Sequence, residues 1–254
     1  MAYADGEYPL EIVYNEHSEG HFESRERKIV NERKDLMPQV ASIYLIRHAH
    51  ALQQTMPEYF WGRSYEMPLT AEGKEQSHKL RKRLMRGGVL FDKVLCSPAV
   101  RTIETLQIVL PGYDLEEVIF DDDLAEQGRG IWAGKRRKDV LTPEIERKIR
   151  EDMWNFKTTG MESAYDVAIR MEKKLEEHAN AFRGNMGVFT HSRAIRNFLT
   201  HVMNLDKITF GEIPIENTSI TRLSYNNKAW ELRGLNDYSH LKGAPQIKGQ
   251  ERTL

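Results

Sequence analysis

The chain has 254 residues, 40% apolar, 30% charged and 9% aromatic, with a formal net charge of −1. That length and balance allow a large buried core, as one domain or two small ones, and leave no global field of the kind that draws a protein to nucleic acid. A single cysteine, Cys96, excludes an internal disulfide and a cysteine-built zinc cluster.

Residues 1–40 are polar and charge-dense and read as an N-terminal extension. The opening MAYADGEYPLEIVYNEH has neither the basic run nor the apolar run of a signal peptide. No apolar stretch reaches the roughly 20 residues that cross a bilayer, so the expectation is a cytoplasmic protein without a membrane partner. From residue 41 the rhythm is regular. IYLIRH, 43–48, reads as a strand buried on both faces. AEGKEQSHKLRKRLM follows Thr70 as N-cap and reads as a helix. FDKVLCS is a short strand running into a turn at Ser97-Pro98, VRTIETLQIVL a helix and EEVIFDDD strand-like. Two helical patterns cover 143–157 and 163–182, the second with Val167, Met171 and Leu175 about four residues apart. NMGVFTHS is another buried strand, followed by the helix AIRNFLTHVM. SITRLSY and AWELRGL form a two-stranded meander around Asn226-Asn227. This alternation predicts an α/β fold: a single three-layer domain over 41–241, with a mostly parallel central sheet and helices on both faces. KGAPQIKGQERTL is a polar tail, 242–254.

Two of these strands end in a histidine, His48 and His191, where open α/β sheets bind their ligands. FDKVLCS brings Arg101 to the same rim, EEVIFDDDLAE brings Glu126, and Arg47 precedes His48. Guanidinium groups suit phosphate oxygens, and a histidine among them serves as nucleophile or proton carrier. A phosphate site is the economical reading. Singly, each residue has a plainer explanation, since a histidine at a strand end is more often structural and an arginine at a helix start is usually solvated. Their convergence is the signal.

The motifs in order resemble those of the histidine phosphatase superfamily, also called phosphoglycerate-mutase-like. IYLIRHAH resembles that family's strand ending in Arg-His-Gly, with Ala49 for glycine. Pro68-Leu69-Thr70 with Gly73 and Gln76, Ser97-Pro98 with Arg101, Thr102 and Thr105, and Leu124-Ala125-Glu126 with Gly130, Trp132 and Gly134 are similar to its successive signatures. So are Gly160-Met161-Glu162-Ser163 with Arg170, Val188-Phe189-Thr190-His191, Asn217-Thr218-Ser219-Ile220, and Asn236-Asp237 with His240-Leu241. The likeness spans about residues 41–241. It implies a metal-independent phosphatase without a cofactor, in which His48 forms a phosphohistidine. Arg47, Arg101 and His191 would then bind the equatorial oxygens, and Glu126 would handle the leaving group's proton.

The chain departs from the pattern in places. Gln54 falls where relatives place a phosphate-contacting asparagine. His50 stands where Glu or Gln is common, and Ser192-Arg193 replaces glycines after His191. Arg193 could serve a second anionic group, Lys135 and Arg136 a polyanionic substrate, and Trp61 an aromatic wall. Each has a bland reading, as solvated charge or core. The resemblance favours a phosphomonoesterase acting on a small molecule. A phosphoglycerate mutase is the alternative, but Glu126-Gln127-Gly128-Arg129-Gly130 lacks the mutase Asn-Glu-Arg-His-Tyr-Gly pattern, and only about 25 residues separate Gly134 from Gly160. A silent phosphate-binding scaffold is the third reading. A homo-oligomer stays open, and substrate identity is not legible.

Overall fold

The computed structural model describes residues 40–207 and 210–242. The reading of 1–40 as an extension and of 242–254 as a tail therefore falls outside the described residues, except at positions 40 and 242. Six strands form one sheet among them: β1 (Ala41–Arg47), β2 (Lys93–Cys96), β3 (Ile119–Phe120), β4 (Gly184–Thr190), β5 (Ile220–Asn226) and β6 (Ala229–Asp237), in the order β3-β2-β4-β1-β5-β6. The run β3-β2-β4-β1 is parallel, and β5 and β6 add an antiparallel edge. Six α-helices accompany it: α1 (Ala71–Arg86), α2 (Val100–Val109), α3 (Arg137–Val140), α4 (Pro143–Glu151), α5 (Ala164–Ala179) and α6 (Ser192–Val202).

The sheet is covered on both sides because its central strands are apolar in both phases of the pleat. Ile43 lies opposite Met186, and Leu95 opposite Val188; with Leu45 these pack under α5 and α6 through Val167, Met171, Leu175 and Phe198. The alternate positions Ile46, Val94, Cys96 and Phe189 face α1 and α2 through Leu80, Leu84 and Leu106. This is the three-layer arrangement expected.

Thr70 caps α1, its Oγ1 accepting from Gly73 N at 3.1 Å. The hairpin between β5 and β6 turns at Asn227 and Lys228, both at positive φ. Two elements are shorter than their patterns. EEVIFDDD pairs only at Ile119 and Phe120, opposite Leu95 and Cys96, and then the Asp121 carboxylate accepts from Asp123 N and turns the chain away. The helix begun at Pro143 stops at Glu151, because the Asp152 side chain takes up Asn155 N in a new turn. Past the strand ends the ladder continues: His48 N donates to Thr190 O at 2.9 Å and Ser97 N to Phe189 O at 3.0 Å. The backbone thus delivers its candidate residues side by side.

Candidate active site

A cavity of about 370 Å³ opens at the carboxyl ends of β1, β2 and β4. Its walls include Arg47, His48, Gln54, Trp61, Arg101 and Glu126. His48 is 4% exposed, and its ring centroid lies 5.2 Å from that of His191. Its Nδ1 sits 2.7 Å from the Ala49 carbonyl. A carbonyl only accepts, so Nδ1 carries the proton and Nε2 keeps its lone pair. Burial, with Arg101 and Arg47 nearby, holds the His48 imidazole well below its ordinary pKa. It is a neutral base with a free nitrogen at neutral pH.

Arg47 and Arg101 are aimed by backbone carbonyls. Arg47 Nη1 donates to Ile215 O at 2.6 Å, while Arg101 donates to Ser64 O at 2.6 Å and to Arg63 O at 3.1 Å. In each, Nε is buried without a partner. Such a donor normally finds an acceptor, and a phosphate oxygen is a fitting one. Burial lowers both guanidinium groups to about 10, so they stay charged at neutral pH.

His191 is placed differently from the sequence reading. It is fully buried and stands behind the cavity. Arg101 Nη2 donates to its Nδ1 at 3.2 Å, so the proton is on Nε2, which donates to Ser97 Oγ at 2.8 Å. Both ring nitrogens are engaged, and direct contact with a phosphate requires one of these bonds to be given up. Glu126 lines the cavity; one carboxylate oxygen accepts from Gln127 N at 2.8 Å and the other from Arg193 N at 3.4 Å, in the first turn of α6.

Gln54 lies on the wall, but its amide is largely spoken for. It exchanges hydrogen bonds with the Asn217 amide at 3.0 and 3.1 Å, and Asn217 Nδ2 donates to His48 O at 2.9 Å. The next residue, Thr218, has φ +55°, a strained value for a β-branched side chain. Its Oγ1 donates to Asn217 O and accepts from His240 Nε2. Sequence reasoning assigned Asn217 and Ser97 no task, although both lie in the motifs. What they do is hold the two histidines.

The basic run also lands differently. Lys135 and Arg136 are exposed and off the cavity wall; Arg136 Nε donates instead to Tyr59 Oη at 3.2 Å. The next residue, Arg137, opens α3 and faces the cavity, its guanidinium 4.5 Å from the Phe60 ring. Arg129 and Arg193 line the same space. Trp61 forms part of the wall, its Nε1 anchored on Met56 O and its ring beside Tyr59.

Gly73 fits under this loop for lack of a side chain. A Cβ there would lie 2.0 Å from His50 O, a backbone atom that Thr70 N also binds. Gly73→Ala is expected to cost about 3 kcal/mol and to displace the segment from His48 to Ala51. A lowered thermal midpoint, accompanied by lost activity in the folded fraction, is the check.

Burial also lowers His240 to about 4. An unfolded chain holds that proton up to about 6.5, so the unfolded state binds more protons across this window and stability is lost as pH falls through it. His48 and His191, both held low, act in the same direction. Thermal midpoints are expected to fall from pH 7 to pH 5, and less steeply in His240→Gln.

An α/β sheet with a buried, uncharged histidine among arginines at its carboxyl edge defines a protein built to handle phosphoryl groups. The chain belongs to the histidine phosphatase superfamily (branch 1), whose sequence profile matches residues 43–238. It is similar to the probable phosphoglycerate mutase GpmB of Yersinia enterocolitica, at 26% identity over 197 residues, 76% of this chain and 88% of that one. It is also similar to a broad-specificity phosphatase of Saccharomyces cerevisiae, at 24% identity over 210 residues, 80% of this chain and 88% of that one. In fold it resembles YhfR of Bacillus stearothermophilus, with a TM-score of 0.70 and 21% identity, covering 80% of this chain and all of the other.

Proposed function

We propose that the protein is a phosphatase that hydrolyses a phosphorylated small molecule through a phosphohistidine on His48. The observation that carries this reading is the free Nε2 of a neutral His48 in a cavity otherwise rich in guanidinium groups. Nε2 attacks phosphorus in line, and the bond to the leaving oxygen breaks as the N–P bond forms. Arg47 and Arg101 take up the charge of the equatorial oxygens. Glu126 gives its proton to the leaving alkoxide, then accepts one from the water that attacks the phosphohistidine. Inorganic phosphate departs and His48 returns to its starting state. In this scheme His191 works first through Arg101, whose aim it shares with the carbonyls of residues 63 and 64. No step calls for a metal. A cytoplasmic location goes with the proposal; among the described residues no helix is long and apolar enough to cross a membrane.

The likeness to a phosphoglycerate mutase makes that activity the second reading. A mutase returns the phosphoryl group to substrate, so it interconverts phosphoglycerates and depends on a bisphosphate primer. The phosphatase releases inorganic phosphate from p-nitrophenyl phosphate and from at least one member of a panel of phosphorylated metabolites, with no primer present. Interconversion without phosphate release would reverse the order of the two readings. Inactivity in both assays would leave a phosphate-binding scaffold.

A further inference from the structure

The cavity holds more positive charge than one phosphoryl group can answer. Arg47, Arg101, Arg129, Arg137 and Arg193 line it against one carboxylate, Glu126. A phosphate monoester brings up to two negative charges, and in the proposed scheme Glu126 enters the step holding its proton, so two negatives meet five positives and three guanidinium groups stay unmatched.

The surplus is localised. Arg47 and Arg101 are held by backbone carbonyls around His48. Arg129, Arg137 and Arg193 are not: among the described residues, none of their guanidinium groups has a hydrogen bond or an ion pair, and two rest against the Phe60 ring. Arg129 is only 9% exposed, and burial together with repulsion from Arg193 pushes it down to about 9. Their far side offers little relief: Arg129 also borders a cavity with Glu66 and Glu162, but Glu162 is already paired with Arg63 and Arg170. Arg129, Arg137 and Arg193 also line a second cavity of about 340 Å³, whose other walls include Trp132, Leu141, Phe156 and Met161. Its one acidic member, Glu146, lies beside Arg150. Arg129 is buried, Arg193 half-buried and Arg137 exposed at the rim, with Glu126 the carboxyl group near the first two. A buried cation short of counter-charge is costly, and cations gather where an anion is to bind.

We propose that Arg129, Arg137 and Arg193 form a subsite for a second anionic group, so that the substrate is a phosphoester whose alcohol portion itself carries a carboxylate or a second phosphoryl group. The inference rests on the phosphatase reading of the same cavity and names its substrate class. The three arginines come from separate elements: the loop after Glu126, the start of α3 and the first turn of α6. Only the fold brings them together.

The test compares alkyl phosphates, ω-carboxyalkyl phosphates and alkane-diol bisphosphates, each with two-, three- and four-carbon frames, at fixed ionic strength. Wild type is expected to favour a two-anion substrate over its alkyl counterpart by about 10–100-fold in kcat/KM, the worth of a charge-assisted contact. The carboxylate and bisphosphate arms show which anion the subsite takes. In Arg129→Met and Arg193→Met, which keep the bulk of the side chain, that ratio is expected to fall toward one. A wild-type ratio near one in every frame overturns the subsite. So does a ratio that persists in the double variant. If p-nitrophenyl phosphate is hydrolysed while no two-anion substrate is preferred, the subsite alone fails. If wild type hydrolyses none of these esters, the phosphatase reading fails with it.

Discussion

Replacing His48 by glutamine is expected to lower phosphate release by at least about 10⁴-fold, the scale on which removal of a nucleophile acts. Glutamine is close in size and uncharged, so the buried position next to Ala49 and Thr190 should tolerate it. What disappears is the nitrogen lone pair that faces the cavity. Two measurements check this: initial rates of phosphate release, and alkaline denaturing quenching of wild type during turnover with labelled substrate. Wild type should carry an acid-labile, alkali-stable phosphoryl group, and His48→Gln should carry none. A variant retaining even one hundredth of the rate would mean that water attacks phosphorus directly and that His48 only binds.

Glu126→Gln is expected to cost about 10²–10⁴ in kcat with alkyl phosphates, the range for losing a positioned proton donor. The carboxamide oxygen still accepts from Gln127 N, so the shorter of the two backbone bonds survives and only the 3.4 Å bond from Arg193 N is lost. The loss should be far smaller with p-nitrophenyl phosphate, because nitrophenolate departs without needing a proton. This dependence on the leaving group separates proton transfer from anchoring. An equal loss on both esters would reduce Glu126 to a brace for Gln127 N and Arg193 N.

Much of this protein was legible in its sequence, for identifiable reasons. Strands such as IYLIRH and NMGVFTH are apolar in both phases, which only a covered parallel sheet demands. Thr70 announced a helix because a hydroxyl at that place satisfies Gly73 N. That Arg47, His48, Arg101 and Glu126 meet at one cavity was legible because each lies at or soon after the end of a recognisable strand or strand-like run. The short edge at Ile119–Phe120 was overestimated, because how far a strand pairs depends on its neighbour, and β2 itself ends at Cys96. The basic run misled for a related reason. Sequence shows that 135–138 are cations, but only the start of α3 decides that Arg137, exposed like Lys135 and Arg136, borders the cavity while those two do not. The Gln54–Asn217–His48 linkage joins residues more than 160 positions apart. Local pattern carries no trace of such a bond. The same holds for His191, whose seal behind Arg101 and Ser97 is a matter of side-chain direction.

The position of β4 has a consequence for synthesis. It lies between β1 and β2 although it comes after both in the chain. A ribosome that has made the first 110 or so residues has produced His48 and Arg101 but not the strand that sets them at the right spacing. Until residues 184–190 emerge and insert, two apolar strand edges stay open, and pairing across so long a separation is slow. Competence for chemistry therefore arrives late and all at once, and the half-made chain is the form most in need of protection from its neighbours.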